Sequence, residues 1–287
     1  MAIRNPIEWG WDYVKVAAHG VGYAGRPFAE TEADLARPMP TVRRIGVADL
    51  GIALRRGLDD FAACRTDVMF LCVFYPVMGL ILARIVTDAY DLVPLLFPLA
   101  SGFALLGPAA AIGLYEMSRR RERGEEVGWA TAFGVLHAPA FGAILGLTLI
   151  LAGFFLVWLG AAQAIHYYTL GPKPPVSIEA FVNAVLYTDA GHQMIAIGIG
   201  VGFVFAAFVF AISVVSFPLL LDRETSVGNA MWTSLRAVAG NPGPMALWAL
   251  IIAALLVIGS LPLFLGLIVV LPVLGHASWH LYRRMIE

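Results

Sequence analysis

The chain has 287 residues, of which 60% are hydrophobic and 14% charged, and its formal net charge is −1. Soluble domains carry roughly 25% charged residues, so this composition suits lipid as solvent. A near-neutral chain also argues against nucleic acid as a partner, because binding phosphate needs an excess of Lys and Arg.

In chain order, Met1–Pro40 mixes charge, Gly and Pro and reads as a cytoplasmic tail, with Trp9 and Trp11 as surface anchors. It holds no apolar h-region of a signal peptide, so the first span is expected to act as the insertion signal. Cys64 and Cys72 stand at the entry to the first apolar run, and no disulfide is expected of them. From Val47 to Phe61, Val47, Leu50, Leu54, Leu58 and Phe61 share one helical face, while Asp49, Arg55, Arg56, Asp59 and Asp60 fall largely elsewhere. That is the pattern of a helix lying in the membrane interface.

Six spans follow, at about 67–87, 92–117, 138–163, 194–221, 245–259 and 262–282. The run Leu92–Tyr115 carries no charge, and as a helix it would reach about 36 Å, more than a hydrocarbon core of ~30 Å. Residues 245–281 form one nearly uncharged stretch. A single helix there would be ~55 Å long, too long even when tilted. Gly259-Ser260-Leu261-Pro262 offers the turn. Parity agrees: Arg223 and Arg236 precede the stretch and Arg283 and Arg284 end it, so both ends face one side and the crossings are even in number.

Orientation comes from the arginines. Arg119, Arg120, Arg121 and Arg123 follow span two, Arg223 follows span four, and Arg283 and Arg284 follow span six. With these on the cytoplasmic side, all but two of the 19 Lys and Arg are inside or at that interface, the exceptions being Arg84 and Lys173. Both termini are then inside. The outer loop 164–193 opens with His166-Tyr167-Tyr168 and breaks at Gly171-Pro172-Lys173-Pro174-Pro175. Ser177–Leu186 then places Ile178, Phe181, Val182, Val185 and Leu186 on one stripe, which predicts a short helix on the outer leaflet.

The chain also repeats itself at low similarity. Three units, 41–126, 127–226 and 227–287, each place an amphipathic helix before two spans and a Pro-led exit into arginine. Val47-Ala48-Asp49-Leu50, Val127-Gly128-Trp129-Ala130 and Val227-Gly228-Asn229-Ala230 open them, and Pro108, Pro218 and Pro272 mark the exits. The expected fold is thus an all-α membrane protein of six helices in three hairpins, N-in and C-in, with each hairpin led by an interfacial helix.

Several junctions carry a resemblance: Tyr75-Pro76-Val77-Met78-Gly79-Leu80-Ile81-Leu82, Gly107-Pro108, Gly113-Leu114-Tyr115-Glu116, Pro218-Leu219-Leu220-Leu221-Asp222-Arg223, and Leu271–Arg283. From about Thr41 to the C-terminus the chain resembles a bacterial domain-of-unknown-function family of predicted integral membrane proteins. The resemblance implies a multi-pass protein of the bacterial inner membrane and brings no catalytic residue with it. Some members are labelled cytochrome c oxidase subunits. A haem-copper core needs several histidines inside spans, and of the six here only His276 and His280 fall clearly within one.

Those two are spaced i,i+4 on one helix face and are the candidate metal or haem ligands; the competing reading is polar anchoring beside Trp279 and Tyr282. Arg84 reads as an anchor or as a partner of Asp88, and Glu116 as a local salt bridge to the arginines after it. Gly142/Gly146 and Gly198/Gly202 are small-xxx-small pairs that predict close packing of spans three and four. No Walker A loop, GxSxG, HExxH or CxxC occurs.

The expected function is therefore that of a non-enzymatic accessory, scaffold or assembly subunit of a membrane complex, with a small-solute transporter or channel as the alternative. The expected partners are the lipid bilayer and another membrane protein or a second copy, and no cofactor is expected.

Overall fold

The computed structural model describes residues 39–72, 77, 84, 90–262 and 264–287. Most of the expected tail, most of span one and Asp88 lie outside the described residues. Among those described, the regular elements are helical, with a single isolated antiparallel bridge between Val42 and Ile286.

Helix α1 runs Val47–Cys72, with a non-helical backbone at Cys64. Asp49 starts it, reaching back 2.8 Å to the Gly46 N–H, half of a capping box. A 3-10 turn at Tyr90–Leu95 leads into α2, Leu96–Leu105. Two more pieces, α3 (Gly107–Ala110) and α4 (Ile112–Glu122), complete the second expected span. This stretch is broken rather than straight. Pro108 lacks the N–H that would continue the helical ladder, and the chain re-caps with Ala111 N donating to Gly107 O.

A 3-10 stretch, Trp129–His137, leads to α5, Phe141–Thr169. Helix α6, Ile178–Tyr187, stands where the sequence predicts a short helix, capped by Ser177, whose hydroxyl accepts from Ala180 N. Then come α7 (Asp189–Ser213), α8 (Ser216–Asp222), α9 (Val227–Gly240), α10 (Pro242–Ser260) and α11 (Leu267–Met285). The chain turns between α10 and α11, at residues 261–262 and 264–266. There a Cβ on Gly266 would fall 2.7 Å from Gly259 O.

Among the described residues, three helical stretches are long and apolar enough to cross a membrane: Phe141–Thr169, Asp189–Asp222 and Pro242–Ser260. Many of their large side chains point outward. Leu156 is 67% exposed and Phe203 70% exposed. In water such surface would be unfavourable by about 25 cal/mol per Å²; against lipid it carries no such cost.

A dense core sits at one end. It holds Leu50 and Ala53 of α1, Phe217–Leu221 of α8, Met245 and Trp248 of α10, and Trp279, Leu281, Tyr282 and Met285 of α11. Here α1 and α11 lie side by side, and a Cβ on Gly57 would meet Ala277 N at 2.6 Å. Within the expected apolar stripe of α1, Leu50 is buried, Leu54 and Phe61 are half-buried, and Val47 and Leu58 are exposed. The buried face is Leu50, Ala53, Gly57 and Asp60. At Gly57 α11 approaches too closely for a larger side chain.

Candidate functional site

The contact between α1 and α11 continues into a buried polar cluster. One turn past Gly57 on the same face of α1 is Asp60, 7% exposed. Facing it from α11 are His276 and His280, and from the last turns of α4, Ser118; His276 and Ser118 are each 1% exposed. Ser118 Oγ donates to Asp60 Oδ2 at 2.6 Å and lies 2.7 Å from His276 Nδ1. His280 Nε2 is 2.8 Å from the same Oδ2. Arg121 closes the outer side, 3.4 Å from Asp60 Oδ1 and donating to Asp59 O at 3.0 Å.

Proton bookkeeping orders the cluster. A hydroxyl has one proton, and Ser118 directs it at Asp60, so Ser118 Oγ must accept from His276 Nδ1–H. Ionised Asp60 accepts from His280 Nε2–H. The chain of donation is His276 to Ser118 to Asp60, with His280 and Arg121 converging on the same carboxylate. His276 Nε2 and His280 Nδ1 are buried without a hydrogen-bond partner. Burial alone would raise the Asp60 carboxyl. The hydrogen bonds from His280 and Ser118 and the nearby imidazoles outweigh it and hold the group below the usual carboxylate range.

The order is not that of a nucleophilic triad, in which the base takes the serine proton and the acid orients the base. Here the acid holds the serine proton, and the serine is enclosed. The arrangement fits three helices joined through one charge.

A second buried acid lies two residues before Ser118. Glu116, 2% exposed, is 2.7 Å from Arg119 Nη2 and 2.7 Å from Arg120 Nε, the local ion pairs that the sequence predicts. Arg119 Nη1 also donates to Leu221 O at 2.6 Å, tying α4 to the C-terminus of α8, where the helix dipole favours a cation. The 3-10 stretch crosses over this pair: a Cβ on Gly134 would come within 2.8 Å of Arg120 Nη2.

The remaining arginine exits meet at this same end. Arg283 lies 3.2 Å from Glu122 Oε2 and 3.4 Å from Asp222 Oδ2, and Tyr282 donates to Asp222 at 2.8 Å. Arg284 Nε donates to Asp49 Oδ1 at 2.6 Å. The Asp49 carboxyl is held low, first by the Gly46 N–H, against burial, and then by Arg284. Arg223 donates to Glu287 O at 3.0 Å. Asn241 clamps the segment before α1, accepting from Ile45 N at 2.8 Å and donating to Arg43 O at 3.1 Å. Arg123, last of the block after α4, is exposed.

Of the residues singled out in the sequence, the structure joins His276 and His280 through Asp60. Each commits one ring nitrogen to that cluster. Among the described residues no three His, Cys, Asp or Glu side chains gather as a metal site. On α5, Gly146 is buried and Gly142 half-buried. On α7, a Cβ on Gly202 would sit 3.1 Å from Trp158, whereas Gly198 faces open space. Asp60 and Ser118 carry no sequence signal of their own. The only hint is the i,i+4 histidine pair, which demands a partner once buried.

Residues 96–222 match the family model described as a predicted integral membrane protein (DUF2189). The matched stretch runs from the start of α2 to the end of α8 and contains Glu116, Ser118 and the arginine block after them. Asp60, His276 and His280 lie outside it. No curated protein and no solved structure matches the chain.

Proposed function

We propose that the chain is a six-span protein of the bacterial inner membrane with both termini on the cytoplasmic side. In this reading three parallel repeat units each comprise an interfacial helix and a hairpin. Its role is that of a non-enzymatic accessory, scaffold or assembly subunit of a membrane complex, a respiratory oxidase being one such complex. The observation that carries the role is that the carboxylates enclosed at the arginine-rich end are committed to groups of the chain itself. Asp60, Glu116 and Asp222 join helices of the chain itself, while α5, α7 and α10 turn apolar side chains outward. The orientation is supported by the meeting of Thr41–Ile45, Asn241, Ile286 and the three arginine exits at one end.

Purification of the full chain in mild detergent tests the role. A stoichiometric membrane partner, or a second copy, should accompany it; isolation as a lone monomer under several mild conditions contradicts the reading. If either histidine takes a metal or haem, the atoms outside the hydrogen-bonded chain are His276 Nε2 and His280 Nδ1. Metal analysis and a visible spectrum before and after His276→Ala and His280→Ala test that reading.

The alternative, a small-solute transporter or channel, is favoured by the break of the second span into α2, α3 and α4. Interrupted helices are tolerated at membrane depth where they line a cavity or are covered by protein. Solute flux in reconstituted liposomes separates the two readings.

A further inference from the structure

Helix α9 joins the end of the apolar stretch Asp189–Asp222 to the start of α10. It therefore lies at the end of the molecule where the arginines gather. Val227, Ala230, Thr233, Ser234 and Ala237 face inward and are buried. Ser234 fixes the helix to the break between α7 and α8, donating to Ala211 O at 2.7 Å and accepting from Val215 N at 3.2 Å. Ser226 caps its first turn by accepting from Asn229 N.

The opposite face is different. Trp232 is 53% exposed, and Arg236, one turn further on, is exposed on the same side. Arg236 Nη1 lies 3.9 Å from the sulphur of Met39, itself largely exposed. An indole, a thioether and a guanidinium thus share one surface. Water does not favour the first two. The membrane boundary favours all three: Trp concentrates at headgroup level, and a guanidinium pairs with phosphate through two parallel hydrogen bonds. The cytoplasmic leaflet supplies negative charge to match, and the helix is already held, so docking orders side chains and not backbone.

We propose that the Trp232–Arg236 face of α9 is a docking site for the phosphate of an anionic lipid headgroup in the cytoplasmic leaflet. The proposal rests on the reading of α9 as an interfacial helix. The test uses the full chain in nanodiscs of phosphatidylcholine alone or with phosphatidylglycerol. Phosphatidylglycerol should raise the melting temperature of the wild type by several degrees. In Arg236→Gln that rise should fall to half or less, with the melting temperature in phosphatidylcholine unchanged. A rise that survives intact in Arg236→Gln overturns the headgroup site. A second measurement addresses the underlying reading: the fluorescence lost in Trp232→Phe should be the part quenched by brominated phosphatidylcholine. If that part is not quenched, α9 does not face the membrane, and the interfacial reading fails together with the site.

Discussion

Helices α5, α7 and α10 turn large apolar side chains outward, whereas α1, α4 and α11 enclose charged ones. Phe203 on α7 is 70% exposed, while Asp60 on α1 is 7% exposed. A protein dissolved wholly in water would show the reverse. The difference teaches that burial in this chain follows two solvents. Where the surroundings are apolar, outward Leu and Phe need no cover. Where water is near, charges are brought inside with partners, local for Glu116 and from helices far apart in sequence for Asp60.

The largest expected effect lies at the charged end. Asp60→Ala strips the partner from His280, Ser118 and Arg121 at once. It should lower stability in detergent by about 3–5 kcal/mol, the range for breaking a buried ion pair, as read by chemical denaturation. A loss near ~0.5 kcal/mol would place the cluster among weak surface pairs and erase the contrast between the two regions. On the apolar side, Phe203→Arg should impair membrane insertion by about 2.5–3.5 kcal/mol if that face meets lipid near mid-membrane, measured in an insertion assay. No change would mean the face meets water.

Packing gives a smaller effect. Gly57→Val drives a side chain into the backbone of α11, where a Cβ already stands 2.6 Å from Ala277 N. A loss of about 1–3 kcal/mol is expected. Gly51→Ala, one turn and a half away with open space around its Cβ, should be neutral or stabilise by up to about 1 kcal/mol.

Acid pH separates the regions by titration. The Asp60 carboxyl is held low in the folded protein. Its contribution is therefore fully present above the unfolded carboxylate value of about 4 and is lost as pH falls through the lower folded value. Asp60→Asn should flatten the acid limb of a melting-temperature profile. An unchanged limb would assign the acid sensitivity to other carboxylates.

The apolar region was readable because it is written locally. Uncharged runs announce α5, α7 and α10, the stripe of Ile178, Phe181, Val182, Val185 and Leu186 announces α6, and the surplus length of 245–281 demands the turn that the chain makes between α10 and α11. The polar cluster was not readable, because its parts lie 58, 158 and 220 residues apart. In Arg55-Arg56-Gly57-Leu58-Asp59-Asp60 the acid resembles a solvated face, and Ser118 hides before four arginines in five positions. The stripe of α1 was hard to read for a related reason. A helix that packs through Ala53 and Gly57 buries small residues, and hydrophobic periodicity weighs large ones.

The proposed topology puts the arginine-rich end and the loop between α5 and α7 on opposite sides of a membrane. The most direct test is labelling of single cysteines in intact cells with a membrane-impermeant maleimide, after Cys64→Ser and Cys72→Ser. Lys173→Cys should react from outside at once, and Glu125→Cys only after the cells are permeabilised. Equal reaction of both in intact cells would contradict the account.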